Sequence, residues 1–168
     1  GNLLLTSEWE ETVRRVSPDG TVTTLAGDPS SAGSVDGTGS AARFDDPAGL
    51  AADAAGNAWI AEYRVGTLRQ VTPEGVVTTL RNLVVAPAEP NGGAPFGGFS
   101  HPRDVEAGPD GYLYVSEAGA VRKVGPDGVV WTVAGLTGTR GARDGRGRDA
   151  RFDEITGISF EPDGSLLV

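Results

Sequence analysis

The sequence predicts an all-β protein assembled from repeated four-stranded antiparallel units. Three observations carry that expectation. Gly and Pro supply 26 and 11 of the 168 residues, and both interrupt helices and central strands. Between them Val, Leu, Ile and Thr recur in short clusters, the composition of brief strands joined by turns. A stretch of fourteen residues also occurs three times at near-constant spacing, and repetition on that scale marks arrays of one supersecondary unit.

The repeated stretch runs over 12–25, 67–80 and 120–133, with Val13, Leu68 and Val121 standing 55 and 53 residues apart. Each copy reads as strand, turn, strand. The turns are Pro18-Asp19-Gly20, Pro73-Glu74-Gly75 and Pro126-Asp127-Gly128, where Pro presets the first turn angle and Gly accepts positive φ. A second hairpin precedes the first. It is clearest as Gly49 to Asp53, a turn at 54–57 and Ala58 to Glu62, and it returns as Asp104 to Ala107, a turn at 108–111 and Tyr112 to Glu117. Four strands in about 55 residues make one blade of a β-propeller.

With the strands of a blade lettered A to D from the central channel outward, the chain reads B-C-D, A-B-C-D, A-B-C-D, A-B. The expected division is 1–44 (strands B to D and a connection), 45–100 (a full blade with a long loop), 101–151 (a full blade with its connection) and 152–168 (the start of the next blade). Closed rings use about four to eight blades, so the ring is expected to be incomplete. Gly1 to Leu5 and Gly164 to Val168 read as the same strand B. That duplication favours a segment of a larger propeller over a half-ring completed by another copy. Length alone suggests one domain; the repeat count makes the chain part of one.

Fourteen basic against 23 acidic residues give a net charge of −9 and a pI near 4.5, a balance unsuited to nucleic acid or an anionic membrane as partner. Cysteine is absent, which excludes disulfides and thiolate metal sites. No apolar run approaches the roughly 20 residues of a membrane helix, so no membrane insertion is expected. The opening Gly1-Asn2 carries no basic stretch followed by an apolar one; any targeting segment has been removed or was never included.

The repeats resemble NHL-repeat β-propellers, whose units read Pro-x-Gly-Ile-Ala-Val-Asp, Gly-Asn-x-Tyr-Val-Ala-Asp, Ile-Arg-Lys-Ile and Gly-x-Val-x-Thr-Leu-Ala-Gly in order. The corresponding stretches are Pro47 to Asp53, Gly56 to Glu62, Val13 to Val16 and Gly20 to Gly27. The resemblance covers essentially the whole chain. It departs in the connection from Arg81 to Ser100, which lacks the family's usual loop, and at Asp104, which replaces the glycine seen at Gly49 and Gly157. The resemblance implies a protein-interaction scaffold, with lyase and lactonase relatives as the enzymatic minority, and fold alone does not choose between them.

Four groups of residues invite a chemical reading. The connections 33–45 and 141–153 share an Asp-Gly turn followed by Ala-Arg-Phe-Asp. Asp36 and Asp144 are candidate calcium ligands there, although the alternating acidic pattern of an EF-hand is missing. The preferred reading is a turn with a Phe plug and an Arg43 or Arg151 ion pair, and no cofactor is expected beyond that weak calcium candidate. Arg14, Arg69 and Arg122 hold one position of strand C in every blade and are expected to pair with carboxylates of adjoining blades, Glu62 and Glu117 above all. The register near Glu8 is uncertain by one residue against those two.

His101, Arg103, Asp104 and Glu106, with Asp46 and Glu154 at comparable places, stand at the mouth of inner strand A, where a ligand would be met. His101 is the only histidine; beside acidic neighbours it could bind a metal or act as a base, but next to Pro102 a loop role is preferred. The lyase relatives imply His-based sites gathered from several blades, and one His could supply only part of such a site. The lactonase relatives imply acidic and Asn ligands around calcium, and Asn57 and Asn91 make no convincing set. Phe96 and Phe99, on the Gly-rich insert between 82 and 100, are candidate partner contacts, with burial under the neighbouring blade as an equal alternative. No Gly-x-Ser-x-Gly elbow and no phosphate loop leading into a helix is present.

The sequence thus favours a non-enzymatic interaction or structural module, extracytoplasmic (periplasmic, secreted or cell-surface). Its expected partners are proteins and the remainder of its own propeller or another copy. Part of a propeller lyase or lactonase-like enzyme with a channel metal site is the alternative, and a self-associating half-ring a third reading.

Overall fold

The structure is a computed structural model of the chain and describes residues 1–86 and 98–168. Its first unit is β1 (Leu3–Ser7), β2 (Thr12–Val16) and β3 (Val22–Gly27), paired antiparallel in that order. The second holds β5 (Pro47–Ala52), β6 (Ala58–Glu62), β7 (Thr67–Val71) and β8 (Val76–Thr79), and the third β10 (Asp104–Ala107), β11 (Leu113–Glu117), β12 (Ala120–Val124) and β13 (Val129–Gly135). The start of a fourth is β14 (Ser159–Phe160) with β15 (Leu166–Leu167). These are strands B to D, two full sets A to D, and A with B. Among the described residues no strand of the fourth unit pairs with the first, so the ring stays open.

Turn chemistry sets the hairpins. In each C–D turn the glycine takes a left-handed conformation, with φ of 86° at Gly20, 84° at Gly75 and 78° at Gly128. Its N–H donates to the residue three positions earlier, Ser17, Thr72 or Gly125. Such φ values are open to glycine at no steric penalty.

Two short strands went unread in the sequence. β4 (Gly37–Thr38) lies along the outer edge of β8, and β9 (Val84–Val85) runs parallel to the outer strand β13. The first two connections between blades therefore cover the exposed hydrogen-bonding edge of the blade they lead into, where bare strand edges invite aggregation.

The core lies between blades. Along β6, Ala58 and Ile60 pack toward the first blade with Val13, Ala26 and Phe44, whereas Ala61 packs toward the third with Leu68, Phe99, Val105 and Val115. That alternation is the period of two of a strand buried on both faces. Phe44 and Phe99 come from the connections and fill the two crevices. Phe99, at 5% exposure, is thereby a crevice plug and not an exposed contact; Phe96 lies outside the described residues.

Candidate functional site

One end of the blades gathers the B–C turns and the starts of the inner strands. Here Glu62, wholly buried, closes four bonds: its carboxylate accepts from Arg69 Nη1 at 2.9 Å, Asp45 N at 3.0 Å, Ser34 Oγ at 2.8 Å and Thr67 Oγ1 at 2.6 Å. In the third blade Glu117 accepts from Arg122 Nη1 at 3.0 Å, Ser100 N at 2.7 Å and the Thr137 hydroxyl. The strand register corrects the expected geometry. Glu62 lies opposite Thr67 in the strand next to Arg69, so each pair closes inside one blade, not between blades. Arg69 does reach backward to Asp36, at 3.0 Å, in the connection leaving the first blade.

The first blade differs. Ser7 pairs with Thr12 as Glu62 does with Thr67, so Ser7, not Glu8, holds the buried acid's position. Arg14 turns outward to Glu10 at 3.1 Å, with 38% of its side chain exposed. The calcium reading of the connections meets a similar correction at Asp36, whose carboxylate is taken by Arg69, Arg81 and the Thr79 hydroxyl. Burial alone would raise its pKa, but those hydrogen bonds and the Arg69 charge hold it below the ordinary value. Asp144 is exposed in the second connection. Among the described residues no three Asp, Glu or His side chains converge where a metal could sit.

Above these pairs the channel mouth opens. Arg103 lines three adjoining clefts, of about 560, 360 and 170 Å³. Trp9 and Glu8 border the two larger ones. Tyr63 contacts two side chains here, its ring centroid 5.1 Å from that of His101 and 4.6 Å from the Arg103 guanidinium, and Arg103 also pairs with Glu154. Trp9, in the first B–C turn, is 95% exposed. Four non-glycine residues among those described have positive φ, and three of them, Glu11, Asp46 and His101, lie at this mouth, at 52°, 61° and 52°. Asp46 and His101 each stand directly before the proline that opens an inner connection or strand, and backbone of this kind clusters at functional sites.

Asp104 stands deeper. Its backbone crosses close to Gly49, where an added Cβ would lie 2.4 Å from the Asp104 Cα, so glycine is required there. Its carboxylate accepts from Val105 N and from Ile158 N, both at 2.9 Å, tying the third inner strand to the fourth. Burial pushes its pKa up against the pull of those two N–H groups, and burial with the Asp104 charge raises Glu106 as well. The folded chain thus holds the Asp104 proton to higher pH than the unfolded chain, whose value is 3.8. Stability falls as pH rises from about 4 through the folded value. Asp104→Asn is expected to flatten that fall, whereas Asp36→Asn removes stability that is present above 3.8 and lost in acid. Urea unfolding at pH steps from about 3 to 7 measures both slopes.

Likeness to solved structures follows the blades. A protein of unknown function from Bacteroides thetaiotaomicron is 26% identical over 73% of this chain and 32% of its own, at a TM-score of 0.58. The catalytically inactive virginiamycin B lyase of Staphylococcus aureus, solved with quinupristin, is 15% identical over 95% of this chain and 42% of its own, also at 0.58. An auxiliary nutrient binding protein from Bacteroides ovatus is 22% identical over 68% and 32%, at 0.51. The fold is a β-propeller. The chain spans less than half the length of each of these structures. No family model and no curated protein matches it.

The mouth brings His101, Arg103 and Asp104 together on one stretch of chain, with Glu106 further along the same inner strand. Sequence reasoning missed Trp9 and Tyr63. The signal was available for Trp9, a lone Trp between Glu8 and Glu10 in a turn, outside any alternating strand pattern.

Proposed function

We propose that the chain is a blade segment of an NHL-type propeller that works as a non-enzymatic, extracytoplasmic protein-interaction or structural module, meeting its partner at the channel mouth. The observation that carries this reading is Trp9, 95% exposed between two clefts that also share Arg103. Trp, Tyr and Arg in that setting are the side chains that dominate protein interfaces, and Tyr63 lies against Arg103 within the same surface. The remaining blades, supplied by its own chain or by another copy, are its first partner. A share in a metal-centred lyase or lactonase-like site has support from fold likeness alone, and among the described residues the donors at this mouth do not converge.

The test is photo-crosslinking from position 9 in the native host, followed by affinity measurement with the protein captured. Trp9→Ala and Arg103→Ala are each expected to weaken that complex by about 2 kcal/mol or more, roughly thirty-fold. Affinity unchanged in both variants, or substrate turnover abolished by His101→Ala, would overturn the reading.

A further inference from the structure

We propose that the crevice between the second and third blades, at the end of the blades opposite the channel mouth, is a binding site for a small uncharged aromatic molecule. This site is independent of the interaction surface around Trp9.

Its origin lies in a difference between repeats. Arg15, Gln70 and Lys123 share one register position in strand C, opposite Leu4, Trp59 and Tyr114. In the first blade Arg15 Nη2 donates across the crevice to the carbonyl of Pro73 in the next blade's C–D turn. The crevice it spans holds about 390 Å³. In the second blade the shorter, uncharged Gln70 stands in its place, and among the described residues no hydrogen bond joins it to Pro126, the counterpart of Pro73. The unlatched crevice holds about 510 Å³, within the range of sites for small organic ligands.

The lining selects the ligand. Trp59, Leu80, Leu113, Pro109 and Pro126 wall the cavity, and Ala107 leaves room between them. The indole N–H of Trp59 donates to Asp53 at 3.0 Å, which fixes the ring and leaves it available for stacking. Among the described residues Asp53 is the only charged side chain in the wall. Its carboxylate already accepts from Ala55 N, Asn57 N, Asn57 Nδ2 and Trp59 Nε1, filling the roughly four acceptor positions such a group has. Asp53 therefore has no acceptor position left for a ligand donor, and its negative charge disfavours an anion. An uncharged ring matches what is left.

The test uses the whole chain, with 2-naphthol as probe and 2-naphthoate as its anionic counterpart, read by saturation-transfer NMR and by quenching of tryptophan fluorescence. 2-Naphthol is expected to bind, and 2-naphthoate to bind at least about ten-fold more weakly. Gln70→Arg restores the latch that the first blade carries natively, and Ala107→Phe fills the cavity. Each is expected to weaken 2-naphthol binding by about ten-fold or more, whereas Ala52→Phe, the matching change in the first crevice, leaves it unchanged. Circular dichroism and the urea midpoint confirm that each variant folds. No binding of 2-naphthol at millimolar concentration, equal binding of 2-naphthoate, or binding indifferent to both Gln70→Arg and Ala107→Phe would overturn the proposal.

Discussion

Glu117→Ala is expected to lower the unfolding free energy by about 3–5 kcal/mol, because it leaves the Arg122 guanidinium charged in the interior with no other carboxylate beside it among the described residues. The change also releases Ser100 N and the Thr137 hydroxyl, so the chain loses its anchor where it approaches the third inner strand. Glu62→Ala should fall at the lower end of that range, since Arg69 keeps Asp36 at 3.0 Å. Glu10→Ala, which removes the half-exposed partner of Arg14, should change stability by no more than about 1 kcal/mol. Urea unfolding of the three variants checks both the size and the order. A Glu117→Ala loss no greater than that of Glu10→Ala would sink the assignment of the buried acid as the fastening of its blade.

Phe44→Ala should be comparably severe, at about 3–5 kcal/mol. The ring is wholly buried between Val13 and Ala26 of the first blade and Ile60, Val71 and Val77 of the second. Two flanking sheets cannot collapse into the space without breaking their own strand pairing, which favours the upper part of the range. The Arg69 guanidinium, 5.3 Å from the ring centroid, loses its aromatic face as well. Phe44→Leu keeps most of the volume and should cost less than half as much. Guanidinium unfolding that gives a Phe44→Ala loss below about 1 kcal/mol would mean that the blades do not depend on the plug.

The repeated hairpins were legible because turn chemistry and recurrent strand segments coincide in them: Pro73-Glu74-Gly75 fixes where β7 ends, and β6, buried on both faces, sends successive residues to opposite crevices. β4 and β9 were not legible, since two residues such as Gly37–Thr38 show no period and their pairing is set by where the next blade's edge happens to lie. The repeated pattern of Arg69 and Arg122 within the chain exposed a buried charge position and its partners, Glu62 and Glu117, but not that each pair closes inside one blade. That geometry comes from the pairing of strands B and C, which holds across turns of different length: four residues separate Glu62 from Thr67, whereas two separate Glu117 from Ala120. The same turn hid the mouth. Trp9 belongs to no repeated pattern, and its closeness to Arg103 arises only once β1, β5 and β10 stand side by side.

The strips of chain that run along β8 and β13 impose a direction on assembly. Each is encoded before the blade it covers, so during synthesis the cover for an outer strand already exists when that strand emerges. A newly made outer edge can be paired at once by a segment of its own chain, which shortens the time in which it could join a neighbouring nascent polypeptide. Units that contact only their neighbours can in principle nucleate anywhere along the array. Here the order of translation and the order of edge closure run the same way, from amino to carboxyl terminus.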